Sequence, residues 1–304
     1  MSCTLITHRD CLGHEMQPGH PESPARLASV LQHLDATGIV GNLTVLDAPL
    51  AETASLAAAH SQAYVRAITD AAPTEGLVAL DPDTLMCPAS LTAALRAAGA
   101  VIEGVRSIIR GDAARVFCAV RPPGHHAEES QAMGFCLFNN VAAGALEALA
   151  GGIGRVAILD FDVHHGNGTV DIFKDRPEVL VCSTFQHPHY PNRLFDVDRP
   201  NIVNTPLPAG TNGNAFRAAV ERDWLPAIDT HEPELVLVSA GFDAHAADPL
   251  GGLELLEADF TWVTQLIRSM ANDHAEGRIV STLEGGYNLA ALARSVEAHI
   301  SALM

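Results

Sequence analysis

Eight short apolar runs, separated by segments of helical length, constrain the fold of this chain more than any other feature. They fall at residues 4–8, 43–48, 115–120, 156–163, 179–184, 201–207, 235–242 and 278–284, and Val, Ile and Leu dominate them. A strand with one wet face alternates apolar and polar side chains, whereas an unbroken apolar run needs cover on both faces. Helical segments lie between the runs at 24–36, 55–72, 90–110, 139–150, 213–229 and 257–272, and 289–303 closes the chain. Ser90 stands where the 90–110 helix wants an N-cap. This alternation predicts an α/β fold, a doubly wound parallel sheet with helices on both faces. The chain has 304 residues, 48% of them apolar, and carries no linker, repeat or low-complexity tract, so one domain over 1–304 is expected.

Charge narrows the partners. Lys and Arg number 18 against 36 Asp and Glu, a formal net charge of −18. Such a surface repels phosphates, so direct nucleic-acid binding is not expected. It attracts cationic substrates such as lysine-rich tails or polyamines, although solubility or adaptation to salt explains the same balance. Six cysteines are scattered without a CxxC pair and read as reduced thiols. The N-terminus has no basic region followed by an apolar run, and no stretch reaches the roughly 18 apolar residues of a membrane span. A soluble, cytoplasmic protein is the expectation.

In doubly wound sheets, ligands bind beyond the carboxyl ends of the strands. Four of the apolar runs end in polar chemistry: Arg121-Pro-Pro-Gly-His125-His126, Asp160-Phe-Asp162-Val-His164, Asp243, and Glu284-Gly-Gly-Tyr287-Asn288. On an extended chain, Asp160, Asp162 and His164 share one face. Carboxylates so close are unfavourable unless a cation neutralises them. An imidazole with carboxylates is a donor set that zinc accepts, and iron or cobalt fit it too. A catalytic zinc needs three protein ligands, and Asp243 is available as the third; alone it would be an ordinary helix cap. Adjacent histidines, His125 and His126, could divide acid–base work beside the metal, with Asp160 and Asn167 available to orient them. Tyr287, in a glycine turn, is either a donor to a developing oxyanion or a packing residue. No GxSxG elbow, P-loop or GxGxxG is present, so neither a serine nucleophile nor a nucleotide cofactor has a motif behind it.

Together with Ser239-Ala-Gly-Phe-Asp-Ala-His245, these blocks make the chain resemble the metal-dependent histone deacetylase family. The blocks run in the family's order from His20-Pro-Glu22 to Asn288. Asn167 and Asp-Pro-Leu-Gly-Gly252 bring it nearest the class II branch and its bacterial relatives, which include acetylpolyamine amidohydrolases. The resemblance implies a three-layer arginase-like fold with an eight-stranded parallel sheet. It implies one Zn²⁺ per chain on Asp162, His164 and Asp243, and a deacetylase or amidohydrolase working by metal-promoted attack of water. His126 would be the general base, with Asn167 behind it. His125 would be its electrostatic partner, held by Asp160, and Tyr287 would polarise the acyl carbonyl. Gly134 and Phe135 match a substrate-tunnel wall with Tyr190 opposite, and Leu250 stands at the rim. Arg26 matches an arginine near an internal channel for acetate. A structural K⁺ would use Asp160, Asp162, His164, Ser183 and Thr184.

Some positions depart from the family's pattern. Relatives specialised for polyamines carry a glutamate at the rim position where this chain has Leu250, which favours acyl-lysine in a peptide or protein as substrate. The acidic surface suits acylated polyamines. His187, His189 and Tyr190 replace a more phenylalanine-rich segment at the tunnel mouth. The chain leaves little room for long dimerisation loops, and its oligomeric state stays open. Two further readings are a non-catalytic binding module on the same fold and a binuclear ureohydrolase. The second would need extra carboxylates near Asp243, which Ala244-His245 does not obviously supply.

Overall fold

A computed structural model describes residues 3–304. In chain order the strands are β1 (Thr4–Thr7), β2 (Thr44–Asp47), β3 (Val78–Ala79), β4 (Leu85–Met86), β5 (Arg115–Ala119), β6 (Val156–Asp160), β7 (Val179–Gln186), β8 (Ile202–Leu207), β9 (Leu235–Ala240) and β10 (Ile279–Leu283). The helices are α1 (Pro24–Ala36), α2 (Thr53–Ala59), α3 (Gln62–Asp70), α4 (Ser90–Ile109), α5 (Asn140–Ala150), α6 (Asn167–Phe173), α7 (Gly213–His231), α8 (Glu257–His274) and α9 (Leu289–Leu303).

Eight strands form one sheet in the order β2-β1-β5-β10-β9-β6-β7-β8, and every pairing in it is parallel. All residues of β6, β7, β9 and β10 are buried, as unbroken apolar runs require. One helix layer carries α1, α7, α8 and α9, and the other carries α2, α4, α5 and α6. The strands β3 and β4, unanticipated from sequence, pair as a small antiparallel ribbon. Among the described residues, no helix is long and apolar enough to cross a membrane.

Three sequence expectations need correction, each for a local reason. The run 156–163 leaves the sheet at Asp160, because side-chain acceptors take the next amides away from the ladder. Asp162 N donates to Asp160 Oδ1 at 3.0 Å, Val163 N to Asp243 Oδ1 at 2.9 Å, and His164 N to Asp162 Oδ1 at 2.9 Å. The helix expected over 55–72 breaks at His60-Ser61, where the Ser61 hydroxyl accepts Tyr64 N and starts α3 afresh. Ser90 is not the cap of α4. It is the first helical residue, its hydroxyl accepts Cys87 N at 2.7 Å, and Ala89 holds the cap position.

Candidate active site

The four polar strand ends belong to β5, β10, β9 and β6, which are consecutive neighbours in the middle of the sheet. Their carboxyl ends therefore converge at one place. Asp162 and His164 arrive from the turn after β6, and Asp243 from the loop after β9. His164 Nδ1 lies 3.1 Å from both Asp162 Oδ1 and Asp243 Oδ2. One ligand atom from each of the three residues falls within 4.8 Å of the others, and all three side chains are buried. Among the described residues this is the one such grouping found.

The electrostatics call for positive charge at that point. Burial alone would push the imidazole of His164 down, but its bonds to Asp162 and Asp243 outweigh burial and lift it to about 10. Burial likewise works against ionising Asp162, but His125 and His164 hold it well below the usual carboxylate range. Two buried carboxylates and an imidazole sharing one point fit a divalent ion of zinc's ligand preference. Asp160 is not among the three. Its Oδ2 sits 2.9 Å from His125 Nδ1 and its Oδ1 accepts Asp162 N, so it orients its neighbours.

Glycine is obligatory beside the trio. A Cβ on Gly285 would lie 2.0 Å from Asp243 Oδ2 and 2.6 Å from Asp162 Oδ2. The bare backbone instead donates Gly285 N to Asp162 Oδ2 at 2.9 Å.

The rings of His125 and His126 lie with centroids 4.0 Å apart, tilted by 43°, but their surroundings push them in opposite directions. Burial disfavours charge on His125, yet Asp162 and Asp160 raise its pKa well above the usual histidine value. Burial, with the positive charge of His125 and His164, keeps His126 well below it. A neutral imidazole beside a charged one is the division of labour that acid–base chemistry needs. His126 Nδ1 is 2.7 Å from Asn167 Oδ1.

Above the trio opens a cavity of about 230 Å³, lined by His126, His164 and Tyr287 with Gly134, Phe135, Tyr190, Leu250, His189 and Asp83. Gly134 and Phe135 both have left-handed backbones, with φ of 58° and 68°. A Cβ on Gly134 would meet His126 Cδ2 at 2.3 Å, so only glycine lets the wall approach the histidine. Asp83 Oδ1 accepts Gly134 N at 3.1 Å and Thr84 Oγ1 accepts Phe135 N at 3.0 Å, which fixes this costly conformation. The phenol of Tyr287 is pushed far above its ordinary value, chiefly by burial, and is therefore a standing proton donor. Arg26 lies 4.7 Å over its ring and donates to the carbonyls of Gly286 and Glu284.

At the proposed cation position, Ser183 pairs with Asp160 in the ladder. Its hydroxyl is buried without a hydrogen-bond partner. Thr184 Oγ1 reaches the Asp160 carbonyl at 3.5 Å.

Sequence reasoning gave no task to several residues that shape the site. Glu284 accepts Gly124 N at 2.7 Å, His125 N at 3.2 Å and Ser239 Oγ at 3.1 Å, and so pins the histidine turn to β10. Burial lifts its carboxyl to about 7. Asp248 accepts Tyr287 N at 2.6 Å, Asn288 N at 3.1 Å and Leu250 N at 3.0 Å, joining rim to glycine turn. His189 stacks on His164 at 5.0 Å and bonds the Leu250 carbonyl. Glu284 and Asp248 lie inside the quoted motifs, so the signal for them was present. His189 was placed at the tunnel mouth from sequence without a task, and Asp83 announces itself only by position in space.

Known proteins resemble this chain in sequence and fold. The histone deacetylase domain matches residues 20–303. The "Histone deacetylase-like amidohydrolase" of Pseudomonas aeruginosa is 37% identical over 89% of this chain and 73% of its own. The mouse "Polyamine deacetylase HDAC10" is 36% identical over 97% of this chain and 47% of its own. The crystal structure of the HDA15 HD domain superposes with a TM-score of 0.92 at 33% identity, over 99% of this chain and 88% of that one. The eight-stranded parallel sheet between helix layers is thus the arginase-like fold of a histone deacetylase catalytic domain. By its residues, its fold and its relatives, the chain belongs to the histone deacetylase family.

Proposed function

We propose that this protein is a zinc-dependent amidohydrolase, one catalytic domain over 1–304, that removes acetyl groups from the side chains of acetyl-lysine residues. The observation that carries this is the trio Asp162, His164 and Asp243 at the floor of a narrow cavity, faced by a neutral histidine and a protonated phenol. Asp162, His164 and Asp243 would hold the zinc, which would supply Lewis acidity toward an acyl carbonyl and a lowered pKa for a nearby water.

The chain's own groups do the rest. His126 accepts the proton of the attacking water, with Asn167 on its far nitrogen. His125, kept charged by Asp160 and Asp162, balances negative charge as the tetrahedral centre forms. Tyr287 donates to the oxyanion, and its high pKa keeps the proton in place for that bond. The leaving amine then takes a proton from His126. Gly134, Phe135 and Tyr190 flank an aliphatic stem, Gly134 accepts the amide N–H of the substrate, and Leu250 stands at the rim. Acetate leaves past Arg26. The unpartnered Ser183 hydroxyl, with Thr184, Asp160, Asp162 and His164, supports a structural K⁺. The six cysteines are free and buried, which suits a reducing compartment such as the cytoplasm.

A second reading, an acylpolyamine hydrolase, is favoured by the net charge of −18 and by Asp83 in the cavity wall. Rates on an acetyl-lysine peptide and on acetylspermidine, measured with stripped and zinc-reloaded protein, decide between them. A higher kcat/KM on the peptide is expected. The reverse order would move the substrate to polyamines, and inactivity of the zinc-loaded protein on both would overturn the hydrolase reading.

A further inference from the structure

Behind Asn167, the partner of His126, stand two side chains with no assigned task, Glu128 and Arg193. Asn167, fully buried, places Oδ1 2.7 Å from His126 Nδ1 and donates Nδ2 to Glu128 Oε1 at 2.7 Å. The same Nδ2 lies 3.2 Å from Met133 Sδ and 3.4 Å from the His126 carbonyl, both weaker partners. Glu128 in turn accepts Arg193, Nε on Oε1 and a terminal nitrogen on Oε2, each at 2.9 Å. Arg193 reaches the surface, with 44% of its side chain exposed.

An amide has two ends, and the imidazole beside it cannot choose between them. If Asn167 presents Oδ1, His126 carries its proton on Nδ1 and keeps a lone pair on Nε2. If Asn167 presents Nδ2, His126 Nδ1 must accept, and the proton moves to Nε2. Only the first state can take a proton from water. A carboxylate only accepts, so Glu128 requires the NH₂ end of Asn167 to face it, and Oδ1 is thereby turned to His126.

We propose that Glu128, aimed by Arg193, is a positioning residue that sets the tautomer of His126 through the Asn167 amide. This rests on the reading of His126 as the base. Glu128 does not line the cavity; it acts through Asn167. Polarity runs one way along the relay, from the acceptor at 128, through the donor and acceptor ends of the amide, to Nδ1–H and the free Nε2.

Reversing the polarity at residue 128 is therefore the test. Glu128→Lys puts a donor against Asn167 and is expected to lower kcat on an acetyl-lysine peptide about 100-fold or more, with KM within about twofold, the range that loss of a general base spans. Asn167→Asp alone sets two carboxylates together and is expected to cost about tenfold. The two changes combined should recover kcat to within about fivefold of wild type, because a carboxylate at 167 accepts both from the new ammonium and from Nδ1–H. Glu128→Gln, isosteric and expected to fold as wild type, admits both amide orientations and should lose about tenfold.

Nitrogen-15 spectra of histidine-labelled protein read the tautomer without turnover. Protonated Nδ1 is expected at His126 in the wild type and the double variant, and protonated Nε2 in Glu128→Lys. Retention of the Nδ1 tautomer in both Glu128→Lys and Glu128→Gln, or a double variant no better than its worse parent, overturns the proposal. A wild type with Nδ1 protonated but no amide hydrolysis would instead refute the base role of His126 and leave the tautomer assignment standing.

Discussion

Replacing Glu22 by Gln should destabilise the protein by an amount that depends on pH. Glu22 is fully buried and accepts Arg121 Nε on Oε1 and a terminal nitrogen on Oε2, both at 2.5 Å, and Arg26 at 3.2 Å. His14 Nε2 stands 3.4 Å away. Burial raises the pKa of this carboxyl, but Arg121, His14 and Arg26 outweigh burial and bring it from 4.5 to about 2. At about 1.4 kcal/mol per pH unit, the carboxylate contributes about 3 kcal/mol near neutrality.

For 304 residues at roughly 2.1 cal/mol/K each, that is a fall in Tm of about 5 °C. The folded pKa lies below the unfolded one. The stabilisation is therefore complete above about pH 4.5 and drains away as pH falls toward 2. Thermal melts of wild type and Glu22→Gln at pH 7 should differ by about 5 °C, and the gap should narrow to under half that at about pH 3. A gap under about 1 °C at pH 7, or one that stays constant as pH falls, would refute the reasoning. Because Arg26 also stacks on Tyr287, the variant should lose turnover as well.

Three further outcomes are expected. Tyr287→Phe should cut kcat on an acetyl-lysine peptide by about 10²-fold or more with the fold intact, as loss of an oxyanion donor does; near wild-type rates would remove the role given to the phenol. Asp243→Asn should bind substoichiometric zinc after dialysis, read by atomic emission, and a full equivalent would reject Asp243 as a ligand. Asn201 Nδ2 reaches the carbonyls of Phe173, Arg176 and Val179 at 2.8, 3.1 and 2.9 Å. Asn201→Ala should therefore cost about 1–3 kcal/mol in urea unfolding by taking the donor from the buried Val179 carbonyl, the carbonyls of Phe173 and Arg176 keeping Arg176 N and Val179 N, and a loss under about 0.5 kcal/mol would show that water replaces the amide.

Much of this protein is legible in its sequence. Unbroken apolar runs dictate parallel strands covered on both faces, and helical segments between them dictate the two layers. The polar residues that end four of those runs mark the site, because a buried strand tolerates Asp and His only where something compensates them. Local pattern could not say that β5, β10, β9 and β6 are neighbours, since strand order is decided by how the helices pack and not by any one segment. Without that order, Asp243 is an ordinary cap and Tyr287 an ordinary tyrosine. Nor could it foresee the turn at Asp160–His164. There, three carboxylates capture backbone amides that an ideal strand would give to its neighbours. Spacing put Asp162 and His164 on one face of an extended strand, but the strand ends at Asp160 and the turn after it brings the two side chains together. Only the folded chain, by bringing Asp243 to within 3.1 Å of His164 and turning Asp160 toward His125, decided which carboxylates gather on His164 and which holds His125.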